Sequence, residues 1–235
     1  MKKTPKPLIL LDILTLLAIL GAILIVLFYT PTELEMGLVQ KVFYFHVACT
    51  WVGMLGFTLA AVASIAFLKT RSMEWDNAAV AGVEIGMVFV GLGIISGSIW
   101  AKPIWNTWWT WDPRLTTTLI MELIYVAYLI LRGSVNEPGQ RARFSAVYAI
   151  AGFVSVPLTF LSIRVFRTIH PVVVGAASSS GGTFAMTGRM LFTFIFCLAV
   201  FSLLFAVLFW HRYRLEQQRT EIDRIMELRE SGEEA

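Results

Sequence analysis

The chain is short of charge, of cysteine and of histidine, and each shortage narrows what it can be. Only 15% of its 235 residues are Asp, Glu, Lys or Arg, against 57% hydrophobic. A water-soluble domain of this length needs more charge on its surface, so a soluble globular fold is excluded. The two cysteines, Cys49 and Cys197, stand far apart inside apolar runs, with no CxxC pair and no disulfide framework. They read as small buried apolar residues. No GxxxxGK[ST] stretch occurs, so any use of ATP must come from a partner. Three histidines are too few for ligand pairs at two depths, the arrangement that carries electrons across a bilayer. The apolar runs are about twice the length of a membrane β-strand and do not alternate, which excludes a β-barrel.

What the chain has instead is long apolar blocks. Six are long enough to span, for which about 20 residues are needed: 8–29, 42–68, 78–100, 115–131, 144–163 and 190–210. The expected fold is all-α, a polytopic membrane protein with six transmembrane helices. The first block follows Lys2, Lys3 and Lys6. Its apolar run is too long for a cleaved signal peptide and no small-residue cleavage pattern follows, so it reads as a retained helix. Thirteen of the 19 Lys and Arg residues fall on the side holding both termini; Lys41, Lys102, Arg114, Arg164, Arg167 and Arg189 fall on the other. The positive-inside bias then places both termini in the cytoplasm. Residues 1–210 form one six-helix domain with a tryptophan-rich outer loop at 101–114. Residues 211–235 are charged, with Leu215, Ile222, Ile225 and Met226 near helical spacing, and read as a cytoplasmic amphipathic tail.

Small residues predict which helices pack closely. Span two carries Gly53, Gly56, Ala60 and Ser64; span three carries Gly82-xxx-Gly86 and Gly93-xxx-Gly97. Pro157 is expected to kink span five.

Three unusual features share the outer face. One is the segment WNTWWTWDPR at 105–114, with four tryptophans in seven residues. An interfacial aromatic belt takes one or two per helix end. Asp112-Pro113 has the form of a helix start, Asp as cap and Pro at the first helical position. The others are His46, near the outer end of span two, and His170, in the last outer loop. Phe43, His46, Thr50 and Gly53 share one helix face, where Gly53 is expected to leave room for a bulky planar partner. Cys49, three residues from His46, is the minor alternative ligand. If the chain stays helical past span five, His170 stands about 10 Å above the exit; Pro171 biases it toward extended backbone instead.

A flat, apolar, anionic group would account for all three features, and haem fits. Imidazole is a common axial ligand for its iron, and indole faces stack on a porphyrin. Its propionates would pair with cations among Lys102, Arg114, Arg164, Arg167 and Arg189. Two histidines would fill both axial positions and leave none for oxygen chemistry. That favours holding haem, handing it over or electron transfer, over catalysis. Two other readings stay open: a cofactor-free permease or assembly subunit with the tryptophans as a belt, and a bis-His membrane cytochrome. The segment 176–183, AASSSGGT, reads as flexible and suits a gate. Of the acids within spans, Glu122 is expected beneath the haem site, and Asp12 and Glu84 near the other interface.

Residues 105–116, WNTWWTWDPRLT, resemble the tryptophan-rich WWD motif of the haem-handling proteins of cytochrome c biogenesis. With six spans and one outer histidine on either side of the motif, the resemblance is to the cytochrome c maturation protein C family, over essentially the whole chain. It implies a non-enzymatic, multi-pass protein of the bacterial inner membrane that holds haem b transiently and non-covalently at the periplasmic face. It implies delivery to a membrane-anchored haem chaperone, beside the ATPase and permease subunits of an ABC-type complex and a small single-span partner. By this resemblance His46 and His170 are the axial ligands. Trp105, Trp108, Trp109, Trp111 and Asp112 occupy the motif and, with Arg114, bind the cofactor. Asn106 stands where glycine is expected, so the loop is expected to turn differently there.

Overall fold

The computed structural model describes residues 4–170 and 186–230. The helices are α1 (Lys6–Leu24), which runs into a π-helical turn (Ile25–Tyr29), α2 (Val42–Thr70), α3 (Met73–Trp105), α4 (Pro113–Ser134), α5 (Pro138–Phe153), α6 (Ser155–Val165) and α7 (Gly188–Glu230). Six helical stretches are long and apolar enough to cross a membrane, with α5 and α6 together forming the fifth. The all-α, six-span expectation therefore holds. An even number of crossings returns the chain to its starting side. Accordingly Asp12 near the start of α1 meets His211 of α7 at 2.8 Å, and the tryptophan loop lies at the opposite end.

Local chemistry sets the boundaries. α2 stops where Arg71 turns left-handed (φ 59°), its N–H closing on the Phe67 carbonyl at 2.7 Å. α4 starts as expected, with Asp112 accepting from the Arg114 N–H at 2.9 Å and Pro113 at the first helical position. α5 repeats the device with Glu137 and Pro138. The fifth span breaks between Phe153 and Ser155, just ahead of Pro157, whose ring supplies no N–H to the turn before it.

α2 and α3 form the closest pair. A Cβ on Gly56 would lie 2.6 Å from the Gly82 carbonyl oxygen, and one on Gly82 would lie 2.8 Å from the Gly56 oxygen. Only hydrogen fits there, which is the small-residue contact the sequence predicts. The room beside Gly53, however, belongs to this same seam: a Cβ would meet Val90 Cγ2 at 2.4 Å. It is filled by α3 and is not open to a planar partner. α7 packs across α1, α2 and α3, α5 lies against α2 and α4, and α6 lies against α4. Phe57 of α2 stacks on Tyr125 of α4 at 3.6 Å.

Away from the tryptophan loop, charges pair off. Arg132 donates twice to Asp76, at 2.8 and 2.7 Å. Arg212 reaches Glu84 through two nitrogens and Glu216 at 2.7 Å. Glu84 is thus an α3–α7 tie and more than an interfacial acid. α7 continues unbroken past Trp210, so the charged tail extends the sixth span. Its Glu216 is buried, while Leu215, Ile222, Ile225 and Met226 are exposed.

Candidate functional site

His46 sits in the second turn of α2 with its ring against α3. Its Nδ1 lies 3.0 Å from the Gly93 carbonyl oxygen and 3.3 Å from Ser96 Oγ. A carbonyl only accepts, so Nδ1 carries the proton, and in the neutral ring Nε2 is the lone-pair nitrogen. A carbonyl that accepts from the far ring nitrogen and so fixes the tautomer is what a histidine metal ligand needs. Gly97 makes the arrangement sterically open, since a Cβ there would come within 2.9 Å of His46 Cε1.

His170 arrives by a different route. α6 ends at Val165, Phe166 is extended (φ −110°, ψ 154°) and the chain turns back. The estimate that assumed a continuing helix therefore fails, and His170 itself lies in a bend of the chain. The turn brings the His170 ring centroid to 6.2 Å from that of His46. Trp100 lies 6.1 Å from His46 and 6.5 Å from His170, so the three rings form a nearly equilateral triangle. Trp100 itself is fixed, 2% exposed, in a cluster with Phe43, Tyr44 and Phe194.

Asp112 joins the two halves of the site. Its Oδ1 accepts from the Arg114 N–H at 2.9 Å and from the Thr168 hydroxyl at 2.6 Å; its Oδ2 accepts from the Ile169 N–H at 2.9 Å. The His170 N–H in turn donates to Thr168 Oγ1 at 3.0 Å. The carboxylate that caps α4 thus also holds the His170 segment.

The tryptophan loop is shorter than the 101–114 expected from sequence. α3 runs through Pro103 to Trp105 and ends at Asn106, so the loop proper spans 106–112. Asn106 takes a left-handed conformation (φ 53°). Asparagine tolerates it better than most residues, so the absence of glycine costs the turn little. Lys102 Nζ closes the corner, donating to the Asn106 carbonyl at 3.2 Å and its Oδ1 at 3.1 Å.

A cavity of about 180 Å³ lies under this loop. His46, His170, Trp100, Trp105, Trp108 and Trp109 line it, with Arg114 and Arg164 on its wall and Met54, Val90 and Met121 among its apolar residues. Trp111 and Asp112 lie outside the lining; Trp111 is 75% exposed and meets Trp109 edge-on at 5.9 Å. Of the five outer-face cations, Arg114 and Arg164 reach the cavity. Arg189 instead lies 4.3 Å over the Tyr29 ring. Arg114 also donates to the Thr159 carbonyl of α6, which makes it a buried cross-link and not an interfacial anchor. Cys49 packs with Val52, Ile85 and Phe89, away from the cavity. Glu122 is not in the lining either, although Thr118 and Met121 beside it are. The AASSSGGT segment lies outside the described residues.

Sequence reasoning passed over Trp100 and Thr168 as site residues. Trp100 had a signal: with Gly93 and Gly97 it falls at i, i+4 and i+7 on the α3 face that meets His46. Thr168 had almost none, because its partner is 56 positions away.

The family model described as "Heme exporter protein C" matches residues 2–227. The chain belongs to the Heme exporter protein C family. It is 30% identical over 192 residues to the Heme exporter protein C of Bradyrhizobium diazoefficiens, covering 82% of this chain and 72% of that protein. It is 30% identical over 196 residues to that of Paracoccus denitrificans, covering 83% and 80%. It is 31% identical over 143 residues to that of Escherichia coli K12, covering 60% and 58%. The part of this Heme exporter protein C family chain that the model matches takes in both histidines and the whole tryptophan loop.

Proposed function

We propose that the protein binds haem b at its tryptophan-loop end and passes it to a membrane-anchored haem chaperone in the maturation of c-type cytochromes. The observation that carries this reading is the spacing of the two histidines. At a metal–imidazole bond of about 2 Å, two rings sharing one metal have centroids about 6 Å apart; His46 and His170 stand at 6.2 Å. The names of the relatives, which speak of haem export, agree with it.

Haem, as cargo, brings an iron with two axial positions and two carboxylates to this cavity. His46 and His170 are the proposed axial ligands. Trp105, Trp108 and Trp109 offer indole faces, and Arg114 and Arg164 offer charge to the carboxylates. Asp112 serves the site through the His170 segment, and Trp111 through its contact with Trp109.

The ring triangle adds a constraint. Trp100 lies in the plane that bisects the line between the histidines, and a macrocycle extends outward through that plane. One side of the triangle must therefore open on loading and again on release. Trp100 is locked in the core and His46 is held on α2, whereas His170 lies beyond the end of α6. His170 is the ligand that yields.

The Lys and Arg bias orients the loop toward the periplasm of a bacterial inner membrane, with both termini and the tail 211–235 in the cytoplasm and 1–210 as the membrane domain. The protein acts without catalysis, beside the ATPase and permease subunits of an ABC-type complex and a small single-span partner. A bis-His electron carrier is disfavoured because His211, at the far end, pairs with Asp12.

Absorption spectra of the purified protein, oxidised and reduced, test the reading beside His46→Ala and His170→Ala. Six-coordinate low-spin haem in the wild type, lost or five-coordinate in either variant, is expected. A wild type that takes up no added haem would leave the tryptophans as an interfacial belt, and the permease reading would replace this one.

A further inference from the structure

We infer that Thr168 is a positioning residue for His170, its hydroxyl bridging the Asp112 carboxylate and the His170 backbone N–H. The inference rests on the reading of His170 as an iron ligand. It names a residue that neither the tryptophan motif nor the histidine pair points to.

The argument begins with what a chain loses when a helix ends. The last helical bond runs from the Phe166 N–H to the Ser162 carbonyl at 3.0 Å; φ and ψ at Phe166 are those of extended backbone, and residues 167–170 belong to no helix. A ligand on such a segment has a wide choice of positions unless something else fixes it. Here a rigid element does so at second hand. α4 begins on Asp112, a cap residue with 9% exposure and with Pro113 behind it. From that fixed carboxylate two bonds reach across to the segment, the Thr168 hydroxyl at 2.6 Å and the Ile169 N–H at 2.9 Å.

The Thr168 hydroxyl does two things at once. It has one proton and two lone pairs. The proton goes to Asp112 Oδ1 in a short, charge-assisted bond, and a lone pair receives the His170 N–H at 3.0 Å. The position of His170 is therefore tied, through one oxygen, to the start of α4. The Ile169 bond keeps the segment near Asp112; the Thr168 bond acts on the backbone of His170 itself. Asp112 is a poorer test of the idea because it also caps α4, so changing it disturbs a helix. Thr168 is half-buried and belongs to no helix, so a change there loosens the bracket alone.

The experiment loads ferric haem onto the full-length protein in detergent. It records the low-spin fraction and the rate of haem loss to an excess of a competing haem-binding protein. Wild type, His170→Ala, Thr168→Val and Thr168→Ser are compared, with melting temperatures for each. Thr168→Val keeps the shape and removes the hydroxyl; it is expected to take up haem but lose it about five- to tenfold faster, the worth of one net hydrogen bond. A larger high-spin share and easier entry of added imidazole at the sixth position should accompany the faster loss. Thr168→Ser should restore wild-type behaviour, and neither variant should melt much below the wild type. If Thr168→Val does not fold, Thr168→Ala carries the same comparison. A wild type that is six-coordinate through His170, with Thr168 variants indistinguishable from it, would overturn this inference and leave the haem reading standing. A wild type without haem, or one unchanged by His170→Ala, would sink both.

Discussion

At one end of the bundle Asp76, Glu84, Arg132, Arg212 and Glu216 close on one another, and each carboxylate has a guanidinium partner. At the other end Asp112 is fully engaged, but some polar atoms of residues that line the cavity are not. Among the described residues the Trp100 indole N–H and the Thr110 hydroxyl have no partner, and His46 Nε2 makes no hydrogen bond. The same helices, α3 and α4, run through both regions. A buried charge is costly unless paired, and these five groups meet that cost among themselves, although Arg141 Nε and Ser145 Oγ at the same end have no partner among the described residues. A buried donor or bare ring nitrogen beside a cavity also costs free energy, and that cost is recovered when a ligand completes it. The contrast is between a charge cluster that ties helices together and a cavity whose lining keeps unpartnered donors among the described residues.

The strongest test breaks the far end alone. Arg132→Leu leaves Asp76 buried without its partner, a loss of about 3–5 kcal/mol. A large drop in melting temperature is expected, with the haem spectrum of whatever still folds unchanged. Adding Asp76→Leu should recover most of the stability, because an apolar pair of similar size replaces a buried ion pair at little cost. Lost axial ligation in the Arg132 variant would show that the two ends are not independent.

Next is the seam that both ends share. Gly56→Ala sets a methyl against the Gly82 carbonyl, and overpacking of this kind costs about 1–3 kcal/mol. Both the melting temperature and the low-spin fraction should fall; a fall in stability alone would place the seam with the far end only. Gly97→Ala is smaller in stability and sharper in place. Its methyl would press on the His46 ring, so an altered haem spectrum with nearly unchanged melting is expected. The smallest effect belongs to Trp111→Ala. The residue is exposed and off the cavity, so stability should stay within about 0.5 kcal/mol. Haem affinity should fall less than in Trp108→Ala. An equal fall would show that Trp111 reaches the cargo.

The parts of this structure that were legible in the sequence are those set by near neighbours or by a repeated spacing. Six apolar runs announce six spans, Asp112-Pro113 announces the start of α4, and the glycines of spans two and three announce their contact. What could not be read is set by the third dimension. Gly53 carried the same signal whether its missing side chain faced a ligand or α3, and only the packing decides for α3. The five outer-face cations were equivalent in sequence until the loops were placed, and the fold brings Arg114 and Arg164 to the cavity. Asp112 was legible as a cap, but its hold on Thr168 and Ile169 depends on how the chain returns after α6. Arg132 and Asp76 stand 56 positions apart in different helices, and no local pattern pairs them, whereas Arg212 and Glu216 sit at i, i+4 on α7.

α7 runs as one helix of 43 residues with no proline and no glycine after its first position. At 1.5 Å per residue it is roughly 64 Å long, about twice the thickness of the hydrocarbon layer. Near its first turns it touches the Trp100 cluster through Phe194, and just past its midpoint it is pinned by Arg212 to Glu84. In mechanical terms it is a lever with a fulcrum and two unequal arms. A sideways push on the exposed stretch beyond Thr220, whose hydroxyl donates to Asn77 at 3.0 Å, has no proline or glycine hinge in which to dissipate before it reaches the aromatic wall behind His46 and His170.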